Sequence, residues 1–416
     1  MRILFVVGNV YPMDNANSNI VKNLVGEMIK EGHQVTVLGK GELPEQQDGV
    51  ISDGIEYCYY TLPLLNKINQ IYSKLGRFGK VIYLICNPRQ FVFKWNMHHK
   101  KRFLTYQYKK SCKEKIELIC EYSDVDVVIA VSMPIFTNLA LAEADISAKK
   151  IAYKLDPYAF NELEAEWSFE EKLQIEKVIL NNVDREYFPI LDYRDMKEVL
   201  PTRYHKKMVG LEFPNLFYHE ERANKSLYIE EEKEKLTIAY VGFLYEDIRN
   251  PRMVLDFLNK LHKDIPIKTY LIGGGCRNII EEYQRSMQDD LVIISRVSQE
   301  EAVFIMRQVD CLLNIGNSVR NMLPSKLFDY FSTGNKVLNF CKLKNCPSLH
   351  YMRKFSNGYS VWESNWEEAY EDIKQFLLQK SQKLEFEEVK KIFRENTPEY
   401  VSRKIMDDCG ELREGQ

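Results

Sequence analysis

The sequence predicts an α/β protein with two Rossmann-like domains in series. Short apolar runs alternate with stretches whose apolar residues recur at helical spacing, and this alternation occurs twice. A dense run of charge at 218–235 separates the two series. Strands that alternate with helices favour a parallel sheet with helices on its faces. The length of 416 residues fits two or three domains of roughly 150 residues each.

The first series begins with the apolar run RILFVVG at 2–8 and a polar loop, NVYPMDNANSN, at 9–19. A helix is predicted next, because the apolar residues from Ile20 to Ile29 fall on one face. Gly32 supplies the C-cap that ends this helix. Further strands are predicted at 34–39, 125–131, 149–155 and 206–211, with a helical stretch at 162–182.

The second series follows the charged segment, which is either a solvated helix or loop or the boundary between domains. Strands are predicted at 236–242, 267–273, 291–295, 311–316 and 335–340, and helices near 251–262, 277–287, 299–308 and 325–332. We therefore expect an N-terminal domain over 1–217 and a C-terminal domain over 236–397. A last helix at about 398–416 is expected to pack back on the first domain.

Composition indicates a soluble protein. Hydrophobic residues make up 45% and charged residues 28% of the chain, as in ordinary globular domains. The opening MRILFVVGNV is too short for a secretory signal, and no apolar run reaches the roughly 18 residues of a membrane span. The nine cysteines are scattered, and the nearest pair, Cys341 and Cys346, has no clustered His. These features predict free thiols in the cytoplasm and no metal site.

The stretch NMLPSKLFDYFSTGNKVLNF at 321–340 places polar residues at the start of a short apolar helix. Helix N-termini bind phosphate through unpaired backbone N–H groups, and Ser325 and Lys326 would add a hydroxyl and an ammonium. Asp329, one turn later, is suited to accept hydrogen bonds from ribose hydroxyls. Alternatively, Ser325 is a plain N-cap and Lys326 a solvated residue of the first turn.

A basic, aromatic segment runs from Lys67 to Lys113. It contains twelve Lys or Arg and no Asp or Glu, so the rest of the chain carries −15, because the whole chain carries −3. Alternating cations and rings favour an anionic membrane interface. The residues proposed for that patch are Lys94, Trp95, Lys100, Lys101 and Arg102. The alternatives are aromatic side chains in the core with solvated cations, or an anionic soluble acceptor; the otherwise acidic chain argues against nucleic acid.

Together these motifs resemble a known family. The order AYVGFLYEDIRNP, YLIGGG, LVIISRVSQEEAVFIMRQVDCLLNIGN and LPSKLFDYFSTGNKVL is similar to the donor domain of nucleotide-sugar glycosyltransferases with the GT-B fold, specifically retaining family four. In the first half, EGHQVTVL, DVDVVIAVSMPIFTNLALA, KKIAYKLDPYA and EFPNLF follow the same family's order. The resemblance implies two Rossmann-like domains that face each other across a cleft.

The resemblance also implies a donor site in the second domain. A basic residue after the first strand of that domain grips the donor diphosphate, and Arg249 matches it; the alternative for Arg249 is a surface residue that begins a helix. Of the family's two acidic positions, Asp329 matches the ribose contact, whereas Asn321 stands where the acid that contacts the sugar is expected. The remaining donor-side candidates are Gly242, Ser325, Lys326, Gly274 near the nucleotide base, and Val297.

The acceptor side is expected in the first domain. Many members carry a His-Asp pair where this chain has Leu155 and Asp156, so Asp156 either lies near the acceptor or caps the following helix. The loop at 9–19 lacks the family's double glycine. Its polar residues, with Ser132 after a strand, are the other candidates: Asn15, Asn17 and Ser18.

The expected function is transfer of a sugar from a nucleoside diphosphate donor to a glycan or lipid-linked acceptor, with retention, in polysaccharide or glycoconjugate biosynthesis. The catalytic candidates are Arg249, Lys326 and Asp156. No cofactor and no metal are expected, and the location is the cytoplasm or the inner face of the membrane. Two alternatives remain: a non-hydrolysing nucleotide-sugar epimerase, and an inactive GT-B scaffold or carbohydrate-binding protein, for which Asn321 and Leu155 argue.

Overall fold

The computed structural model describes residues 1–12, 16–43, 46–62, 101–132, 134–164, 166–218 and 234–414. The chain divides into two compact units. Unit 1 comprises 1–214 together with 398–416, and unit 2 comprises 215–397. Each unit contains one sheet of mainly parallel strands with helices packed on it. The predicted α/β class with two Rossmann-like domains is confirmed.

The sheet of unit 1 has eight strands in the order β3-β4-β2-β1-β5-β6-β7-β8. All neighbours are parallel except β3 and β4, which form an antiparallel pair at the edge. The strands are β1 (Arg2–Val6), β2 (Gln34–Lys40), β3 (Val50–Ser52), β4 (Ile55–Tyr60), β5 (Val127–Val131), β6 (Lys149–Tyr153), β7 (Arg185–Pro189) and β8 (Met208–Leu211).

Helices cover both faces of this sheet. They are α1 (Ala16–Lys30), α2 (Lys101–Tyr122), α3 (Phe136–Glu143), α4 (Phe169–Asn182), α5 (Ile190–Val199) and α13 (Pro398–Glu414). Strand β1 shows why the predicted strands are apolar at every position. Ile3 and Phe5 pack in the core beneath α1 and α13, whereas Leu4 and Val6 pack on the opposite face with α2 and α3. A parallel strand buried on both faces has no polar alternation.

The sheet of unit 2 is entirely parallel, with the order β11-β10-β9-β12-β13-β14. Its strands are β9 (Leu236–Phe243), β10 (Ile267–Gly274), β11 (Leu291–Ile294), β12 (Cys311–Ile315), β13 (Lys336–Cys341) and β14 (Gly358–Trp362). Its helices are α6 (Arg252–Asp264), α7 (Arg277–Met287), α8 (Gln299–Gln308), α9 (Leu327–Ser332), α10 (Ser348–Met352), α11 (Tyr370–Leu378) and α12 (Phe386–Ile392).

The elements differ from the prediction in several places. Helix α1 begins at Ala16, inside the predicted loop at 9–19, and α4 begins at Phe169, not at 162, because Ser168 and Glu171 form a capping box there. Four strands were not predicted: β3, β4, β7 and β14. These are short runs with Glu, Ser, Tyr or Trp among them, in which the apolar pattern is weak.

The boundary between the units lies three residues before the predicted one. Asn215 donates from Nδ2 to the carbonyl of Ser325 at 2.8 Å, and the amide of Leu216 donates to the carbonyl of Asn396 at 2.9 Å. These bonds attach 215–217 to unit 2. Helix α13 belongs to unit 1, where Asp408 accepts a hydrogen bond from Tyr187 at 2.7 Å and pairs with Arg185 at 2.9 Å.

Candidate functional site

The carboxyl ends of the neighbouring strands β9 and β10 lie very close together. The end of β10 and the turn that follows it require glycine. Gly273 and Gly275 have φ of +128° and +87°. A Cβ added to Gly273 would lie 2.1 Å from the carbonyl oxygen of Gly242, and one added to Gly275 would lie 1.8 Å from that of Leu244. The two strand ends therefore approach more closely than side chains would allow. Backbone atoms fill the positions that side chains at Gly273 and Gly275 would otherwise occupy.

A cavity of about 440 Å³ opens beside this turn. It is bounded by the ends of β9, β10 and β11 and by helix α7, and its size suits a small organic ligand. Two predicted donor-side residues, Gly242 and Gly274, line it, and Val297 follows two residues after the lining residue Ser295. The polar side chains of the lining come from Tyr240, Arg277, Glu281, Gln284 and Ser295.

Arg249 lies in the loop after β9 and is held by a buried amide. Its Nε donates to Oδ1 of Asn317 at 2.5 Å, and Asn317 is 0% exposed. Asn317 in turn donates from Nδ2 to the carbonyl of Met322 at 2.9 Å. One amide therefore joins the loop of Arg249 to the loop that follows β12. The half-buried guanidinium is fixed in place but not neutralised by this contact.

Asn321 occupies a turn position with φ of +60°. The left-handed region disfavours most side chains, and Asn tolerates it better than most because its short amide can bond locally. Backbone geometry is thus one physical reason for an amide at this position, where the family resemblance leads one to expect an acid. The side chain is half-buried.

The start of α9 differs from the predicted phosphate-binding helix end. The helix begins at Leu327 with Lys326 as its N-cap, and no side chain caps it. Ser325 is therefore not the N-cap. Lys326 pairs with Oδ2 of Asp329 at 2.9 Å, and Asp329 is 3% exposed. In this structure the charge of Lys326 is already balanced within the helix, and the carboxylate expected to meet ribose is buried.

Helix α9 is tied to β9 by Tyr330. Its hydroxyl donates to the carbonyl of Val241 at 3.0 Å and accepts from the amide of the same residue at 2.9 Å. Because Tyr330 is 1% exposed, these bonds are shielded from water. The start of α9 is thereby held beside the carboxyl end of β9, where the loop of Arg249 begins.

Two charged residues at this edge were not singled out from the sequence. Lys342 directly follows β13, and Glu363 directly follows β14. Burial lowers the pKa of Lys342; Arg249 acts in the same direction, while Glu363 and Cys276 oppose it. Burial raises the pKa of Glu363 to about 7, although Lys342 opposes this shift. Only their tertiary neighbours mark these residues, so no local sequence signal would have identified them.

On the acceptor side, the candidates of unit 1 are less accessible than expected. Ser132 is 1% exposed and Ser18 2% exposed, and Ser18 lies within α1 and not in a loop. Asn17 is half-buried in the same helix, and Asn15 lies outside the described residues. Asp156 is half-buried in the turn after β6, whereas Leu155 is 4% exposed and belongs to the apolar core.

A fully buried ionic cluster lies next to that turn. Lys154 contacts the carboxylates of both Glu176 and Glu186, and the three side chains are at most 1% exposed. Burial raises the pKa of Glu186 to about 8, with Lys154 opposing the shift. Burial alone would lower the pKa of Lys154, but the two carboxylates overcome this and raise it. Burial therefore favours the protonated form of Glu186.

The basic segment is only partly within the described residues: Lys94, Trp95 and Lys100 lie outside them, as does the side chain of Lys101. Arg102 donates to the carbonyl of Glu166, pairs with Glu171 at 3.1 Å and stacks at 4.2 Å on the ring of Trp167. Three further cations of the segment pair with acids: Lys109, Lys110 and Lys113. Tyr108 is 5% exposed and packs in the core.

Within the part of the chain that the structure describes, no three His, Cys, Asp or Glu side chains gather as a metal site. The eight cysteines found there are free thiols. No helix among the same residues has both the length and the apolar composition that a membrane crossing requires.

Comparison with solved structures identifies the fold. The lipopolysaccharide outer core galactosyltransferase WaaB aligns with a TM-score of 0.61 at 11% identity, over 99% of this chain and 100% of its own. Sucrose-phosphate synthase from Thermosynechococcus elongatus aligns at 0.69 and 11%, with the same coverage. Trehalose-6-phosphate synthase from E. coli, bound with UDP-2-fluoro glucose, aligns at 0.66 and 10%, over 98% and 99%.

These neighbours are GT-B glycosyltransferases. The likeness confirms the GT-B fold predicted for this chain. A scan against protein-family models gives no match, and a search of curated protein sequences gives none.

Proposed function

We propose that this protein is a glycosyltransferase that takes a sugar from a nucleoside diphosphate donor bound to unit 2. The observation that carries the proposal is Arg249, a half-buried cation held by Asn317 at the carboxyl edge of a parallel sheet. Ligands of open α/β sheets bind at this edge, and a guanidinium offers two parallel hydrogen bonds to phosphate oxygens. The GT-B fold of the chain supports this assignment.

The donor would extend along the edge from the glycine turn. The cavity of about 440 Å³ beside Gly242 and Gly274 suits the nucleoside, and its apolar walls would cover the base. The diphosphate would then reach Arg249, and the sugar would lie towards Asn321, whose amide can bond a hydroxyl. Lys326 is a weaker phosphate ligand than Arg249, because it would have to leave or share Asp329.

Transfer breaks the bond between the sugar's anomeric carbon and the diphosphate oxygen and forms a bond from that carbon to an acceptor hydroxyl. Negative charge grows on the departing diphosphate, and fixed cations stabilise it there. If configuration is retained, the departing phosphate oxygen accepts the acceptor's proton, so no enzymic nucleophile is required. Asp156 of unit 1 is the residue proposed to contact the acceptor.

The acceptor proposed is a glycan or a lipid-linked glycan, as in polysaccharide biosynthesis, and the basic segment from Lys67 to Lys113 is the part of the chain proposed to meet anionic lipid. Each cation near such a surface contributes about 1 kcal/mol. The ion pairs of Arg102, Lys109, Lys110 and Lys113 leave residues 67–101 to carry the attraction. Co-sedimentation with phosphatidylglycerol vesicles, lost at high salt, would support binding; equal sedimentation with neutral vesicles would oppose it.

The decisive experiment is a thermal-shift panel of UDP, GDP, ADP and their sugars. A ligand that binds only the folded state raises the melting temperature as its concentration rises. Release of nucleoside diphosphate only when an acceptor is added would support a transferase. Interconversion of the donor sugar without acceptor would indicate an epimerase, and binding without any turnover would indicate an inactive scaffold.

A further inference from the structure

We propose that Lys342 is a second phosphate-binding residue of the donor site, beside Arg249, with Glu363 as its counter-ion while the site is empty. This inference rests on the donor-binding function proposed for unit 2. Lys342 is the first residue after β13, so it leaves the sheet at the same carboxyl edge as the loop of Arg249.

The charge of Lys342 interacts with groups from three other loops of unit 2. Its charge interacts with Cys276, which follows β10, with Arg249, which follows β9, and with Glu363, which follows β14. In the strand order, β9 and β12 lie between β10 and β13. Lys342 therefore interacts with ionisable groups that follow strands on both sides of β13, at the edge where the loop of Arg249 begins.

The backbone of Lys342 is anchored to the loop that holds Arg249. A Cβ added to Gly316 would lie 2.9 Å from the carbonyl oxygen of Phe340 and 3.4 Å from the amide nitrogen of Lys342. The two chain segments therefore touch at Gly316, and the next residue is Asn317, the amide that receives Nε of Arg249. The positions of the two cations are thus set by the same pair of loops.

The charge balance of this group favours an anion. Among the described residues, no hydrogen bond or ion pair is formed by the ammonium group of Lys342, whereas Lys326 is paired with Asp329. Glu363 acts on Lys342 only at longer range, and its Oε1 is buried without a hydrogen-bond partner in the described structure. Lys342 and Arg249 are both half-buried cations, and Glu363 is the acid whose charge acts on Lys342. A diphosphate would complete this balance, because it supplies at least two negative charges and several acceptor oxygens.

The competing explanation is that Lys342 only balances Glu363 and never meets a ligand. The two explanations predict different effects on binding of UDP and of uridine, which lacks phosphate. A phosphate ligand contributes to UDP binding alone. A residue that only maintains the fold would affect UDP and uridine equally when it is replaced.

The experiment measures the affinities of UDP and uridine by titration calorimetry for wild type, Lys342→Gln and Lys344→Gln. Lys344 is an exposed lysine of the same loop and serves as the matched control. For Lys342→Gln we expect UDP to bind about tenfold more weakly, as for loss of one charge-assisted contact, and uridine to bind unchanged. Lys344→Gln should match wild type for both ligands. If GDP or ADP is the nucleotide that stabilises the protein in the thermal-shift panel, that nucleotide replaces UDP and its nucleoside replaces uridine.

Unchanged UDP affinity in Lys342→Gln, or an equal loss for UDP and uridine, would overturn the assignment of Lys342 and leave the donor site at Arg249 intact. Failure of wild type to bind any nucleoside diphosphate would overturn the proposed function and this inference together.

Lysine acetylation followed by mass spectrometry tests the same point in wild type. UDP should protect Lys342 and not Lys344, and equal modification of Lys342 with and without UDP would contradict the proposal.

Discussion

Each unit carries a lysine directly after a strand of its sheet, and the two lysines are treated in opposite ways. Lys154 follows β6 in unit 1, is fully buried and contacts two carboxylates. Lys342 follows β13 in unit 2, is half-buried, and contacts none in the described structure. A buried charge must be neutralised by its surroundings, because water cannot solvate it. The cluster around Lys154 therefore belongs to the internal structure of unit 1.

Arg249 and Lys342 of unit 2 are half-buried and remain partly solvated, so their charges do not require an internal carboxylate. Arg249 is held by an amide, which orients it without cancelling its charge. The donor site proposed for unit 2 would need no rearrangement when an anion arrives, since its dipoles and charges are already fixed. Lys154 therefore has a structural role, whereas the half-burial of Lys342 without a carboxylate contact supports the binding role proposed for it.

The largest expected effect is on the stability of unit 1. Lys154→Met leaves Glu176 and Glu186 buried without their cation, and breaking a buried ionic cluster in this way costs about 3–5 kcal/mol. Denaturant unfolding would measure the loss. Lys206→Met, at an exposed lysine of the same unit, is the control and should unfold as wild type does. A loss below about 1 kcal/mol in Lys154→Met would contradict the structural role assigned to this lysine.

The next effect concerns pH. The pKa of Glu186 is raised to about 8 in the folded state, from 4.5. The folded protein therefore holds a proton that the unfolded chain releases, and this contribution to stability decreases as pH rises between the two values. Glu186→Gln cannot lose that proton. We expect it to match wild type near pH 5 and to be more stable by a few kcal/mol near pH 9, as measured by chemical denaturation at each pH. A pH-independent difference would contradict this assignment.

In unit 2 the expected effect is on binding and not on folding. Arg249→Ala removes one charge-assisted contact to the diphosphate, at a cost of about 1.5–3 kcal/mol in nucleotide affinity. Lys326→Ala should cost less, because Lys326 is already paired with Asp329. The matched control is Arg252→Ala, three residues along the chain, whose guanidinium pairs with Glu282 on the surface. Equal nucleotide affinity for Arg249→Ala and wild type would show that the donor has been placed wrongly.

The smallest expected effect is that of metal removal. If fixed cations at the edge of unit 2 stabilise the leaving diphosphate, no divalent ion is needed to bridge it. Activity should then be the same with and without EDTA, provided that the donor and acceptor have been identified. Loss of activity in EDTA and its recovery with Mg²⁺ or Mn²⁺ would mean that the fixed cations are insufficient.

The family resemblance led to Arg249, and the alternation of apolar runs and helices placed it at a carboxyl edge. The structure confirms the fold and attaches Arg249 to Asn317, although its role stays a prediction. Other predicted features were wrong in detail. Ser325 does not cap α9, which was the alternative to its predicted phosphate contact, and Ser18, predicted in the loop at 9–19, lies in a helix. Both errors concern the ends of helices, where a polar residue fits a cap, a loop or a first turn equally well.

The two mainly parallel sheets could be predicted from the sequence, because strands buried on both faces leave apolar runs that helices interrupt at regular intervals. Which charged side chains are buried and neutralised within the fold depends on the tertiary structure. Lys154 and Lys342 stand in similar local contexts, one residue beyond an apolar strand. The carboxylates that neutralise Lys154 come from residues 176 and 186, and the neighbours of Lys342 come from the ends of three other strands. Burial and charge balance depend on these distant neighbours, so the chemistry of each lysine is determined by folding and not by its local sequence.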